Sequence, residues 1–206
     1  VGNYSDGIMH CDRATEVKSI HEDHIKVANI VEKVLANTKH KVAIYSNSKD
    51  SKGFRQVQVR TSLKLNQMLI SFLVTDDELF SSDTKLVVEE CTEHFLKEFT
   101  KDQLVGITLH KTTHTGQRNL ENEEVVLDSV IYGKPIFQDK LLDLTCNISP
   151  HSFFQVNTKG ADTLFSLALK YANLDGAEKN KKYSILDVCC GGGVIGLLLL
   201  QQNLKN

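Results

Sequence analysis

Three features that assign proteins to common classes are missing from this sequence of 206 residues: a long apolar run, a regular cysteine framework and a large excess of one charge. The longest apolar run, near residues 195–200, is far shorter than the ~18 residues of a membrane span, so we expect no membrane segment. The five cysteines are odd in number and irregularly spaced, which argues against a disulfide scaffold and favours a reducing compartment. We therefore expect an intracellular protein, with the cytosol or nucleus preferred and the mitochondrion as the alternative.

The formal net charge of −2 means that contact with a nucleic acid would need a local basic patch. FRQVQVRTSLKL, residues 54–65, alternates in the manner of a half-buried strand. We expect two faces, one with Gln56, Gln58, Arg60, Ser62 and Lys64, the other with Arg55, Val57, Val59, Thr61 and Leu63. The polar face is either a solvated sheet surface or one that follows RNA phosphates. For the second role Arg60 is the preferred anchor, because a guanidinium can grip a phosphate with two hydrogen bonds.

The first 146 residues read as an α+β domain. Helical spacing predicts one amphipathic helix over 21–38, with Ile25, Ala28, Val31, Val34 and Leu35 inward, and a second over 83–99, with Leu86, Val87, Cys91, Phe95 and Leu96 on one stripe. NQMLISFLV is the expected hairpin partner of the first strand, and LVGITLH (104–110) is a further strand. Residues 113–124 are expected to form an exposed polar loop, and two more strands to surround the Gly-Lys-Pro turn.

The pattern changes after Asn157. Residues 158–174 predict a helix with Leu164, Leu167, Ala168 and Tyr171 inward, and YSILDVCCGGGVIGLLLLQQ reads as a short apolar strand, a glycine loop and a helix start. That is the opening βα unit of a doubly wound sheet. We therefore predict two domains, 1–146 and 147–206, and expect the chain to be a piece of a longer protein.

The glycine loop contains Gly191, Gly193 and Gly196 in the spacing G-x-G-x-x-G. After a strand and before a helix, such glycines let the backbone approach a ligand at free N–H groups. A phosphate-binding P-loop is excluded because no Gly-Lys-Ser/Thr follows. A dinucleotide site and a glycine turn that only packs stay open. The loop more closely resembles the first motif of S-adenosylmethionine-dependent methyltransferases, which has an acid at the strand end, here Asp187.

One pair of cysteines suggests redox chemistry, and one pair of histidines suggests a metal site. Cys189 and Cys190 are adjacent, which would make a strained disulfide, so we expect them to be buried beneath the loop. His21 and His24 are three residues apart, not the four of H-E-x-x-H, and we read them as solvated residues at a helix start. We therefore predict no metal site.

SPHSFFQVNT, residues 149–158, places Phe153 and Phe154 beside two amides, where turn residues would be ordinary. These phenylalanines are either core residues or the wall of a ligand site. Followed by a helix and ILDVCCGGGVIGL, the stretch resembles the tRNA (uracil-5-)-methyltransferase family, specifically its animal members. GFRQVQVRTS is similar to a strand of that family's central domain. The resemblance covers residues 148–200 most specifically and 53–75 less so.

The resemblance implies a fold and a function. The fold would be an α+β central domain that contacts RNA, followed by the truncated start of a Rossmann-like α/β methyltransferase domain. The parent enzyme would transfer a methyl group from S-adenosyl-L-methionine to C5 of a T-loop uridine in tRNA. Gln155, Asp187, Cys189, Gly191 and Gly193 would bind the cofactor, and Phe154 and Arg60 would contact the RNA.

The family's nucleophilic cysteine and carboxylate base lie in motifs that this sequence does not contain. We therefore assign no catalytic residue and expect this chain alone to be inactive. The alternatives are a non-catalytic RNA-binding module and a fragment of a dinucleotide-dependent oxidoreductase.

Overall fold

The structure, a computed structural model, describes residues 2–5, 8–11, 19–42, 44, 53–75, 82–112, 125–172 and 184–205. In chain order the elements are β1 (Gly2–Ser5), β2 (Ile8–Cys11), α1 (Glu22–Asn37), β3 (Phe54–Ser62), β4 (Gln67–Thr75), α2 (Ser82–Glu98), β5 (Leu104–Thr112), β6 (Val125–Gly133), β7 (Phe137–Leu141), β8 (Leu144–Ile148), α3 (Thr158–Ala172) and α4 (Val194–Lys205). None of the described helices combines the length and apolarity that a membrane crossing requires. The loop predicted at 113–124 lies outside the described residues.

A mixed sheet in the order β3-β4-β5-β6 forms the centre of the molecule. β3 and β4 are the predicted antiparallel hairpin, with Asn66 in the left-handed region at φ 51°. β4 and β5 are parallel and therefore need a crossover, which α2 provides. The prediction for Leu63 was wrong: β3 ends at Ser62, so Leu63 lies in the turn and is exposed.

Helices α1 and α2 cover one face of this sheet. The side chains of β4 alternate between the two faces of the sheet. On the helix side, Met68, Ile70 and Phe72 pack against Val87 and Phe95 of α2 in the main core. The predicted faces are confirmed at Val34 of α1 and at Val87, Cys91 and Phe95 of α2, which are all buried. They are wrong at Ala28, Leu86 and Leu96, which are exposed. Val27 and Val88 are buried instead, because the helices also meet the sheet through a neighbouring stripe of apolar residues.

The other face carries the β7–β8 hairpin. Leu69 packs with Phe137 and Ile148, and Leu141 joins α3 and α4 in a second cluster with Ala161, Phe165 and Leu198. Among the described residues, three strands follow β5, not the two predicted, since residues 141–144 form a second tight turn with Leu142 at φ 51°. The division into domains at 146/147 stays a prediction, and that boundary falls within β8.

The predictions for the buried face of α3 and for a strand before the glycine loop were wrong. The face of α3 expected inward is exposed at Leu164, Leu167 and Tyr171, because Ala161 and Phe165 make the contact with Leu141 and Leu198. The described part of the expected strand, residues 184–187, is not a strand. A strand requires a hydrogen-bonded neighbour, and none of the described residues pairs with this segment.

Candidate functional site

Arg60 fastens the segment that carries the two phenylalanines to the sheet. Its Nη1 donates to the carbonyl oxygens of Ser149, Pro150 and Ser152 at 2.6, 3.1 and 2.7 Å. Burial lowers the pKa of the guanidinium, which still stays charged because its ordinary pKa is so high. Arg60 therefore ties β3 to the chain just before α3. The predicted contact of Arg60 with RNA stays a prediction. One of its two terminal guanidinium nitrogens already donates to the three carbonyls.

His151, within the same segment, reaches the sheet beside Arg60. Its Nε2 lies 3.0 Å from Nδ1 of His110, and the rings meet edge to face with centroids 4.4 Å apart. The other nitrogen of His110 contacts Thr108 Oγ1 at 2.9 Å, which contacts Ser71 Oγ at 2.8 Å. This polar chain runs from the buried middle of the sheet to the exposed segment.

Both imidazoles of this chain favour the neutral form. Burial, reinforced by the neighbouring His151, lowers the pKa of His110 to about 4. Burial and the charge of Arg60 lower the pKa of His151. Two neutral imidazoles can share one hydrogen bond, with one ring donating and the other accepting. At neutral pH the polar chain from Ser71 to His151 is therefore a network of uncharged groups.

Gln155 and Phe154 line a cavity of about 180 Å³ together with Arg60, Asp139 and His24. Asp139 is buried and accepts hydrogen bonds from Ser62 Oγ at 2.6 Å and from the backbone N–H of Lys140 at 2.8 Å. The described lining of the cavity thus includes one cation, one carboxylate, an imidazole and the amides of Gln58 and Gln155. Such a mixture suits a polar ligand that carries both donors and acceptors.

The two phenylalanines have different environments. Phe154 is half-buried and packs against both clusters beneath the β7–β8 hairpin, while Phe153 is 85% exposed. The interpretation of both phenylalanines as core residues is therefore wrong for Phe153.

The second amide of the stretch has a structural role that the sequence analysis missed. The Oδ1 of Asn157 accepts a hydrogen bond from the N–H of Gly160 at 2.9 Å, and its carbonyl accepts from Ala161. Asn157 therefore caps the N-terminus of α3. The signal was present in the sequence, since asparagine before a helical run is a common cap.

We expect Asn157→Ala to lower the free energy of unfolding by about 1 kcal/mol, because the N–H of Gly160 loses its partner. Chemical denaturation followed by circular dichroism measures the change. Asn157→Ser or Asn157→Asp, which can still cap, should restore most of it. Equal losses in all three variants would contradict a capping role.

Two residues of the glycine loop adopt the left-handed backbone conformation that glycine favours. Gly191 and Gly193 have φ values of +55° and +68°, and Cys189, just before the loop, has φ +61°. A side chain at Gly191 or Gly193 would meet no atom within 4 Å, so these residues open space instead of packing. The interpretation of the loop as a turn that only packs does not fit this geometry.

Asp187 precedes the glycine loop, and its carboxylate reaches the first turn of α4. Its Oδ2 is buried and has no hydrogen bond among the described residues. The same oxygen lies 3.7 Å from the position that a Cβ on Gly196 would occupy, in the first turn of α4. A buried carboxylate oxygen is costly unless a donor reaches it. This geometry fits a ligand that brings a hydroxyl or ammonium donor to the loop.

The vicinal cysteines do not lie beneath the loop. Cys189 and Cys190 are both free thiols and both exposed, so the prediction of burial was wrong. The reason is that no described strand follows on the outer side of residues 184–190 to cover them.

His24 also differs from its prediction. Its Nε2 lies 2.8 Å from Thr61 Oγ1, and burial lowers its pKa, so it is not a solvated residue. His21 caps α1 instead, since its Nδ1 accepts a hydrogen bond from the N–H of Asp23.

The structure brings some of the predicted site residues together and separates others. Gln155, Phe154 and Arg60 line one cavity, and Asp187, Cys189, Gly191 and Gly193 form the loop before α4. Among the described residues that line the cavity, none comes from the loop. The sequence analysis missed His110, His151 and Asp139, which are distant in sequence from their partners.

Comparisons with known proteins give one consistent set of relatives. No protein-family model matches the chain. It is 35% identical to the tRNA (uracil-5-)-methyltransferase homolog A of Mus musculus over 146 residues, covering 71% of this chain and 22% of that protein. It is 30% identical to homolog B of Mus musculus over 208 residues, covering 98% of this chain and 39% of that protein. An uncharacterised RNA methyltransferase of Oceanobacillus iheyensis is 29% identical over 172 residues, covering 81% and 33%.

Among solved structures, the fold is similar to that of the Pyrococcus abyssi tRNA (uracil-54, C5)-methyltransferase in complex with S-adenosyl-L-homocysteine. The TM-score is 0.56 at 16% identity, over 87% of this chain and 37% of that one. At this identity the likeness concerns the fold alone. The chain spans between 22% and 39% of the length of the sequence relatives named above.

Proposed function

Because this chain belongs to the tRNA (uracil-5-)-methyltransferase family, we propose that it supplies part of an enzyme that methylates C5 of a T-loop uridine in tRNA, with S-adenosyl-L-methionine as the donor. Residues 1–146 would form the RNA-contacting domain, and 147–206 the start of a Rossmann-like methyltransferase domain. An intracellular location follows from that substrate. The observation that carries the proposal is the buried carboxylate oxygen of Asp187, which has no hydrogen-bond partner among the described residues and lies beside an open glycine loop.

The residues around the loop fit the chemistry of the donor. S-adenosyl-L-methionine supplies an electrophilic methyl group, and its hydroxyl and ammonium groups are the donors that the oxygen of Asp187 lacks. Gly191 and Gly193 leave room for a ligand to approach the backbone at the start of α4. Cys189 joins this wall through its backbone, and Gln155 would add an amide that binds either a donor or an acceptor.

The RNA would approach from the side of the sheet. Phe154 would stack on or exclude water from a base, and Arg60 would contact a phosphate. Nη1 of Arg60 is occupied by three carbonyls, but a guanidinium has five N–H groups. Its remaining N–H groups can therefore bind the anion while Nη1 holds the segment.

We expect Asp187→Asn to weaken donor binding roughly tenfold in the full-length protein that carries this chain, because a charge-assisted hydrogen bond becomes a neutral one. Calorimetric titration with S-adenosyl-L-homocysteine measures the affinity. Asp102→Asn, a surface substitution outside the loop, is the matched control. Equal affinity in Asp187→Asn and the control would remove Asp187 from the site.

Activity is tested separately, by transfer of a labelled methyl group into unmodified tRNA and analysis of the modified nucleoside. The proposal predicts 5-methyluridine. A labelled nucleoside other than 5-methyluridine, or RNA binding without transfer, would overturn it and favour another methyltransferase or a non-catalytic RNA-binding module.

A further inference from the structure

A second cavity lies on the same face of the sheet as Arg60, on the side of Gln58 away from Phe154. Its volume is about 340 Å³, and it is lined by Gln56, Gln58, Ser71, Phe72, Leu73, His110, Val125 and His151. Gln58 lines both this cavity and the smaller one that holds Gln155. The two cavities therefore adjoin along β3, and the function proposed above uses only the smaller one.

We propose that this second cavity binds an unpaired nucleobase of the RNA, next to the site of the nucleotide that is methylated. The inference rests on the proposed function for the identity of the polymer. It adds a binding site that accounts for Gln56, Gln58 and the His110–His151 pair.

The two glutamines provide the recognition groups. Neither side-chain amide has a hydrogen-bond partner among the residues that the structure describes, although both line the cavity. Each amide offers a carbonyl acceptor and an NH₂ donor side by side. The edges of nucleobases present the complementary donors and acceptors, and single-stranded RNA is read through those edges.

His151 provides a surface for stacking. It is exposed, and its position is fixed from two sides: its ring by His110, and its flanking carbonyls by Arg60. An unstacked base gains by packing on a planar ring such as imidazole. The ordered ring and the two amides thus border one space that is large enough for a planar base.

The charge of the lining argues for a base and against a phosphate or a metal ion. No lysine or arginine is among the described lining residues. The facing nitrogens of the two imidazoles bind each other, and the described residues contain no group of three metal-ligating side chains. A neutral lining with donors and acceptors suits the neutral part of a nucleotide.

The test compares two single-stranded RNA probes of equal length in the full-length protein at fixed salt: one with bases, and one with abasic positions on the same backbone. Because both probes carry the same number of phosphates, the electrostatic contribution at a fixed salt concentration is the same for both. We expect the probe with bases to bind more tightly, and Gln56→Ala and Gln58→Ala each to weaken it roughly three- to tenfold, the range for one neutral hydrogen bond. The abasic probe should bind all variants equally.

Gln138→Ala is the matched control, because Gln138 is an exposed strand glutamine outside the cavity. It should bind both probes like the unmodified protein. The imidazole NMR signals of His110 and His151 should shift on addition of the probe with bases and not with the abasic one, a readout that activity does not influence.

The outcomes separate the two proposals. Methyl transfer to tRNA with no difference between the probes would overturn the base site and leave the proposed function intact. A base-dependent difference that disappears in Gln56→Ala and Gln58→Ala, without methyl transfer, would support the base site and overturn the function. If a glutamine variant loses the same affinity for both probes, the substitution disturbs the surface in general, and this result would count against the base site.

Discussion

Arg60→Ala is expected to lower the free energy of unfolding of this chain by about 2–3 kcal/mol, the range for hydrogen bonds in which one partner is charged. One nitrogen of Arg60 binds the carbonyls of Ser149, Pro150 and Ser152. The Ser149 carbonyl also accepts from the hydroxyl of Ser152 at 3.0 Å and from its backbone N–H at 3.3 Å, but both of these donors are neutral. Removal of the guanidinium would release the segment that carries His151 and Gln155. Denaturant unfolding followed by circular dichroism measures the loss.

Arg60→Lys and Lys170→Ala are the controls for this result. Lysine keeps the charge but lacks the planar fork, so it should recover only part of the stability. Lys170 is an exposed cation on α3, and its removal should change stability little. An Arg60→Ala variant as stable as Lys170→Ala would show that the three carbonyl contacts contribute nothing.

The same variant also tests the predicted RNA contact. If the remaining N–H groups of Arg60 bind a phosphate, the salt dependence of tRNA affinity in the full-length protein should flatten by about one phosphate's worth in Arg60→Ala. An unchanged slope together with a loss of stability would make Arg60 a positioning residue only.

Local patterns predicted most of the helices and strands, because their causes are local. The alternation in β3 and the helical spacing in α1 and α2 are visible within a dozen residues. The buried stripe was less predictable. In α3, Leu164 and Phe165 are neighbours in sequence, and only the contact with Leu141 and Leu198 selects Phe165. Such a choice depends on a hairpin and a helix on either side of α3.

The links that build the candidate site were not predictable from local patterns. The contacts of Arg60 with the Ser149–Ser152 segment and of His110 with His151 join residues 41 to 92 positions apart. They follow from the order of the strands and the crossover through α2, which no single window of sequence contains. The glycine loop is the opposite case, because glycine favours the left-handed conformation wherever it lies, and Gly191 and Gly193 were identified correctly as a loop. The strand before the loop failed because strand formation requires a partner.

Acid should destabilise this chain well before its carboxylates titrate, and His110 should be the largest single cause. His110 is 3% exposed and its pKa is lowered to about 4, while an unfolded histidine titrates near 6.5. Between these values the unfolded state binds a proton that the folded state does not. The contribution of His110 to stability is therefore constant well above pH 6.5, falls as the pH drops towards 4 and changes no further below that.

The expected loss from His110 across this window is about 3 kcal/mol, on the scale of 1.36 kcal/mol per unit of pKa difference. His24 and His151, whose pKa values are also lowered, act in the same direction. Denaturant unfolding at about pH 7.5, 6.0 and 5.0 samples the region above and within this window. Circular dichroism is the suitable probe, because the chain has no tryptophan whose fluorescence could be followed.

His110→Gln is the variant that isolates the effect. An amide can still reach Thr108 or His151 but does not titrate, so the dependence of stability on pH should flatten even if the variant is less stable at pH 7.5, a value taken above the histidine window. His94→Gln, on α2 and away from the polar chain, is the matched control and should retain the full slope. If the free energy of unfolding has the same slope against pH in His110→Gln and His94→Gln, then His110 takes up its proton as readily in the folded protein as in the unfolded one. The polar chain from Ser71 to His151 would then not hold His110 neutral.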